Sequence, residues 1–231
     1  MKILAIETAT EACSAALLST DEAQVAQETK LRFQLAPREH TKLILPMLDE
    51  VLAESKTALS DVDAIAFGRG PGAFTGLRIA SGIAQGIALA ADIPVVAVST
   101  LSTLAQQVLK DLANDQSVFV ALDARMNEVY WGEFINKEGV IALKGQEQVT
   151  SPKILLEHSN TNHNVLAIGN GWEAYLSDLP ENITLIKGAF PSAEHIAQLA
   201  LPLFLSGKSV PPEDAQPIYI RDNVAKKSKS I

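Results

Sequence analysis

A chain of 231 residues is long for one compact α/β domain and comfortable for two small ones, with enough apolar residues to fill two cores. The formal charge of −8 and pI near 5.0 exclude a free-standing nucleic-acid binder, because such a surface repels phosphate; any RNA contact is then local or supplied by a partner. Cys13 is the single cysteine, which excludes an intramolecular disulfide and a thiolate metal cluster.

The chain opens with a short apolar run over 2–6 that ends in Glu7-Thr8-Ala9-Thr10, and small apolar residues resume over 13–18. This pattern predicts strand, polar hairpin, strand, with an acid at the first strand's end, and 25–33 adds a third strand. The run before Glu7 is too short for a secretory leader. After Pro37-Arg38-Glu39-His40, apolar residues at Leu43, Ile44, Met47, Leu48, Val51 and Leu52 recur at helical spacing.

The next segment is the densest in signal. An apolar strand over 64–67 runs into Gly68-Arg69-Gly70-Pro71-Gly72-Ala73-Phe74-Thr75-Gly76, and a long helix opens near Leu77. Glycines at 68, 70 and 72 let the backbone adopt positive φ and let another backbone or a ligand come close. Amides at the start of a helix suit an anion, so the turn is either a phosphate or carboxylate cradle or a tight corner that binds nothing. Two named phosphate motifs fail here. Gly68-x-Gly70-x-x-Ala73 has dinucleotide spacing, yet the following strand over 93–98 ends in Ser99-Thr100 instead of an acid; and no Gly-Lys-Ser/Thr follows the glycines. Within the helix, Gly82 and Gly86 stand one turn apart beside a second row of Ala80, Ala84 and Ala88. Each interior glycine forgoes about 1 kcal/mol against alanine, so a close neighbour is expected on that face, either another helix of the same chain or a second subunit. Arg78, Gln85 and Asp92 interrupt the helix as a membrane span, and a cytoplasmic chain is expected.

Ser99-Thr100 caps a further helix over 101–112, which links two halves. Beyond it, a strand over 118–122 ends in Asp123, a polar hairpin follows over 124–128, and a second strand runs over 129–135. A strand over 165–168 then enters Gly169-Asn170-Gly171 and a helical stretch over 172–176. The acid-ended hairpin thus returns after roughly 116 residues and the Gly-x-Gly turn after roughly 101, as duplication of a domain would produce. The expected organisation is a first half over 1–100, a second over 101–212 that includes an apolar helix over 193–205, and a tail over 213–231 ending in a basic run at Lys226, Lys227 and Lys229.

Together, Ile6-Glu7-Thr8-Ala9-Thr10, the His40-Thr41 helix start, the run from Gly68 to Arg78 and Leu122-Asp123-Ala124-Arg125 resemble the TsaB family, formerly YeaZ, across essentially the whole chain. The resemblance implies the α/β fold shared by actin, sugar kinases and heat-shock chaperone ATPases, built from two RNase H-like halves. It also implies a supporting role in forming threonylcarbamoyladenosine beside the anticodon of tRNAs that read codons starting with A. The partners it implies are the catalytic paralogue TsaD, as a heterodimer, the ATPase TsaE, a second copy when the chain is alone, and tRNA through the complex. His40, Leu43, Met47, Leu48, Val51, Arg78, Gly82 and Gly86 are the expected interface residues.

The departures from TsaD bear on chemistry. TsaD-like proteins hold a metal through His-x-x-x-His, whereas His40 is followed at that spacing by Ile44, so neither a metal site nor a catalytic residue is expected. His158 and His163 read as surface residues of an Asn-rich loop, and no hydroxyl or Cys13 has an evident base beside it. Glu7 stands where the fold places a magnesium-binding Asp. With Asp123, Gly68, Gly70 and Gly72 it makes up the expected weak site for ATP or ADP with magnesium, the bland alternative being two strand-end acids with solvated charges. Two function classes remain open on sequence: a non-catalytic partner subunit that requires no cofactor, and a stand-alone ATP-dependent phosphotransferase.

Overall fold

The computed structural model describes residues 1–21, 23, 26–159, 164–175 and 179–221. His163 and the basic run near the C-terminus lie outside them. The first half is a five-stranded sheet in the order β3-β2-β1-β4-β5, built from β1 (Lys2–Glu7), β2 (Ala12–Thr20), β3 (Ala26–Leu35), β4 (Ala64–Gly70) and β5 (Val95–Ser99). β1 pairs antiparallel with β2, Ile6 opposite Ala15, and parallel with β4, Ile6 opposite Phe67. The runs 3–6 of β1 and 64–67 of β4 are apolar without interruption because both faces of this sheet are covered. Leu4, Ile6, Ile65 and Phe67 point to one core; Ile3, Ala5, Ala64 and Ala66 point to the other.

Two helices cover the first of these faces. α1 (His40–Glu54) buries Ile44, Met47, Leu48 and Val51, and α2 (Phe74–Ala91) buries Ala80, Ala84 and Ala88. By length and composition α2 is long and apolar enough to cross a membrane, yet its alanine row is built into the core beneath the sheet. The opposite face is covered by α6 (Ala193–Leu205), whose Ala193, Ile196, Ala197 and Ala200 are fully buried there. The chain therefore returns to its first sheet near the end, so the layers do not follow the sequence division at 101.

The second half repeats the plan with β6 (Ser117–Asp123), β7 (Val129–Lys137), β8 (Val140–Thr150), β9 (Val165–Ile168) and β10 (Ile183–Ile186), in the order β10-β9-β6-β7-β8. β6 pairs antiparallel with β7 and parallel with β9, as β1 does with β2 and β4. α3 (Thr100–Gln107) lies over one face, and α4 (Pro152–Ser159) and α5 (Asn170–Tyr175) contribute Leu155 and Trp172 to the other. The fully buried Trp172 donates its indole N–H to the Phe119 carbonyl at 3.0 Å.

Several boundaries differ from the sequence expectation. β4 continues through Gly70 and α2 begins at Phe74 instead of Leu77, so most of the glycine run belongs to regular elements. α3 stops at Gln107, and a separate 3-10 turn covers Leu109–Asp111. β8, α4 and β10 had no clear sequence signal, β8 because most of its side chains are exposed or half-buried and carry no alternation.

Candidate functional site

The glycine turn is clamped onto the β1–β2 hairpin. A Cβ on Gly68 would overlap the Glu7 carboxyl, one on Gly76 would overlap the Thr8 carbonyl, and one on Gly72 would lie 2.6 Å from the Ala9 carbonyl. Two hydrogen bonds complete the contact: Ala73 N–H donates to the Ala9 carbonyl at 2.7 Å, and the Thr8 hydroxyl donates to the Gly76 carbonyl at 2.7 Å. Gly70 has φ +106°, and a Cβ there would come within 2.8 Å of the Ile218 carbonyl. The close approach that the glycines permit is that of the chain's own backbone and of one buried carboxyl.

Glu7 is neither a solvated strand-end charge nor open to a ligand. It is fully buried; Oε1 accepts from Ala9 N–H at 2.5 Å, and Oε2 finds no hydrogen-bond partner among the described residues. Burial pushes its carboxyl up to about 7, against the opposing pull of the Ala9 and Thr8 amides. The same burial, with Glu7 nearby, raises the Cys13 thiol to about 11.

Between the halves lies a cavity of about 1200 Å³. Thr8, Thr10 and Glu11 reach it from the β1–β2 hairpin, Arg38, His40 and Thr41 from the start of α1, and residues 72 to 76 from the start of α2. Asp123, Arg125, Tyr130 and Asn170 line it from the second half, and Tyr219 and Arg221 from the C-terminal segment. Of the residues expected to hold a nucleotide, Gly72 and Asp123 line this cavity, whereas Glu7, Gly68 and Gly70 sit behind the wall. Asp123 is already engaged: its Oδ1 accepts from Arg125 N–H at 2.7 Å and from the Tyr175 hydroxyl at 2.6 Å, and Oδ2 meets the Arg125 guanidinium at 2.8 Å. The Asp123 hydrogen bond raises the Tyr175 phenol. A magnesium–nucleotide centre that uses Glu7 as ligand does not fit this arrangement, since the carboxyl is fully buried and does not line the cavity.

The expected interface residues divide into two groups. His40, Met47, Leu48 and Val51 are buried inside the chain, so as surface residues they are a correction: helical spacing marks the core face of α1. The His40 Nε2 sits 2.9 Å from the Thr10 carbonyl and 3.2 Å from that of Ala12, tying α1 to the hairpin. Leu43 is half-buried, and Arg78, Gly82 and Gly86 are exposed. Built Cβ atoms at Gly82 and Gly86 meet nothing within 4 Å, so packing within the chain does not explain these glycines. Phe74 and Leu89, 54% and 75% exposed, are large apolar side chains on the same helix.

Sequence reasoning passed over two parts of the site and one contact outside it. Glu11 and Arg125 face each other across it at 3.7 Å. Glu147 on β8 accepts from the Ser99 hydroxyl and lies 3.8 Å from Arg69 of the glycine turn; its burial raises its carboxyl. Tyr219 and Arg221 belong to the expected tail over 213–231, where Ile218-Tyr219-Ile220 is the available signal, an apolar run too rich for a solvated end.

Two equivalent sheets about a cleft, with acid-ended hairpins and glycine turns on its walls, define a protein of the actin-like ATPase fold. The matching family profile, over residues 34–229, is TsaD: tRNA N6-adenosine threonylcarbamoyltransferase. The tRNA threonylcarbamoyladenosine biosynthesis protein TsaB of Escherichia coli is 43% identical, covering 97% of this chain and 96% of its own length. TsaB of Haemophilus influenzae is 41% identical over 97% of this chain and 95% of its own. Among solved structures, YeaZ from Pseudomonas aeruginosa matches with a TM-score of 0.82 at 39% identity, covering 94% of this chain and 99% of that one. The chain belongs to the TsaB (YeaZ) family of tRNA threonylcarbamoyladenosine biosynthesis proteins.

Proposed function

We propose that the chain is a cytoplasmic, non-catalytic subunit of threonylcarbamoyladenosine formation in tRNA, and that it works by pairing with a TsaD-type catalytic paralogue. The observation that carries this reading is the open face of α2: two interior glycines with nothing inside 4 Å of a built Cβ, on a helix that also exposes Phe74 and Leu89. Two glycines forgo about 2 kcal/mol of helix propensity, and a helix approaching closely from a second subunit is the compensation that remains. A second copy of the chain occupies this face in the absence of the partner, and a TsaE-type ATPase acts on the assembled pair. Charge supports a partner-mediated contact with tRNA, because a chain of net charge −8 repels the phosphate backbone by itself.

The role requires no cofactor from this chain. The buried Glu7 and the occupied Asp123 weigh against the phosphotransferase alternative, which needs free carboxylates on the cleft wall. Reconstitution decides between the two readings. With TsaD-type and TsaE-type proteins, ATP and unmodified tRNA, modification should depend on adding this chain, and the chain alone should modify no tRNA. Modification that proceeds equally well without it would end the proposal. Tight magnesium-dependent ATP binding by the isolated chain in a calorimeter would favour the alternative.

A further inference from the structure

The last described residues make a set of contacts that the cleft and the helix face do not account for separately. The carbonyl of the fully buried Ala215 accepts from the Ser81 hydroxyl at 2.8 Å and from the Gln85 amide at 3.2 Å, both on α2. Ile218 N–H then donates to the Arg69 carbonyl at 2.7 Å, and its own carbonyl occupies space that only a glycine at position 70 leaves free. Tyr219 turns back to α2: its ring lies 5.5 Å from that of Phe74, and its hydroxyl accepts from Arg78 Nε at 3.3 Å. The Arg78 guanidinium in turn stands 3.8 Å over the Phe74 ring.

Two residues later the same segment reaches the other half. Arg221 donates to the Glu128 carboxylate and, at 3.5 Å, to the Arg125 carbonyl. Its target is the turn between β6 and β7, where Arg125, Met126 and Asn127 hold φ of 61°, 56° and 61°. Left-handed backbone at non-glycine residues costs on the order of 1 kcal/mol each, so contacts hold this turn against the backbone's own preference. The turn forms one lip of the cleft, and its Arg125 faces Glu11 of the opposite lip at 3.7 Å.

We propose that residues 215–221 form a strap that couples the open face of α2 to the aperture of the cleft, with Tyr219 as its anchor on α2 and Arg221 as its anchor on the β6–β7 turn. Phe74 and Tyr219 are 54% and 44% exposed, so a subunit seated on α2 touches the strap directly. Arg78 has one guanidinium to divide between Tyr219, Phe74 and an incoming group. Moving Tyr219 shifts Arg221 two residues away, and with it the contact that steadies the strained lip. Cleft opening is thereby tied to occupancy of a surface outside the cleft. The part of this inference that involves a bound subunit rests on the pairing proposed above; the link through the strap does not.

Spin labels at Lys42→Cys on α1 and Lys153→Cys on α4 report the separation of the halves, and the buried Cys13 stays unlabelled. In the free chain, kept dilute enough to be monomeric, Tyr219→Ala and Arg221→Ala should each broaden the distance distribution and move it to longer values. The double variant should go no further than the larger single effect, because the two anchors act in series. A Tyr219→Ala distribution identical to the parent, beside a broadened one for Arg221→Ala, overturns the strap and leaves only a local ion pair. If the alanine variant loses its cooperative melt, Tyr219→Phe replaces it, keeping the ring contact and removing only the hydroxyl bond. Adding a TsaD-type partner should narrow the parent distribution and leave that of bound Tyr219→Ala broad; equal narrowing of both overturns the coupling. Failure of the partner to bind the parent at all counts against the pairing, while the free-chain comparison still decides the strap.

Discussion

A carboxyl with one oxygen sealed away from every described donor is the least economical residue in this molecule, and its titration is readable. Glu7 is raised from 4.5 to about 7 by burial. Between these pH values the native state keeps a proton that the unfolded chain has lost, so stability falls as pH rises through this window and levels off above it. The size of the fall is on the order of 3 kcal/mol for a shift of this extent. Glu7→Gln cannot ionise and keeps an acceptor for Ala9, so its unfolding free energy from denaturant melts should lose most of that slope between pH 4.5 and 7. An unchanged slope in the variant would mean that Glu7 is ionised in the fold. The glycine that packs tightest is equally testable: Gly76→Ala drives a methyl into the Thr8 carbonyl and should destabilise by about 2 kcal/mol or more, read as a lowered urea midpoint.

At the scale of elements, α2 carries two rows of small residues with opposite uses. Ala80, Ala84 and Ala88 are fully buried against the first sheet, while Gly82 and Gly86 face open space. Gly82→Ala should therefore stabilise the monomer, kept dilute enough not to pair, by about 1 kcal/mol through helix propensity alone, a rise in melting temperature of a few degrees. Gly86→Leu fits the same open space and should stay folded, yet sediment as a monomer and bind a TsaD-type partner more weakly than the parent. Binding as tight as the parent's would remove this face from the interface. Spacing alone does not tell the two rows apart, since both repeat every four residues; which one meets the sheet depends on how the helix is rotated about its axis.

For the whole molecule, polar links between the two halves can be tested one at a time. One joins Arg69 of the glycine turn, Ser99 at the start of α3 and Glu147 on β8. Arg69→Ala leaves the buried Glu147 without its cation and should lower stability by about 1–2 kcal/mol. Because burial raises the Glu147 carboxyl, the loss should be smaller at low pH, where that carboxyl is protonated in both variants. A loss of equal size at pH 4, below the ordinary glutamate value of 4.5, and at pH 8 would argue that Arg69 acts through packing instead of charge.

The duplication was legible because short apolar runs ending in Glu7 and Asp123, and glycine pairs at 68 and 169, are local patterns that survive in one dimension. The family likeness was legible for the same reason, being carried by contiguous motifs. What the tertiary structure alone decided is where those motifs point. Glu7 and Asp123 end equivalent strands, yet one is sealed beneath Gly68 and the other opens on the cleft with Arg125 and Tyr175 as partners. α6 crosses back to the first sheet, and Tyr219 and Arg221 close on residues far away in the chain. Periodicity records which face of a segment is apolar; burial, strain and cleft geometry arise between segments remote in sequence, and so appear only once the sheets are assembled.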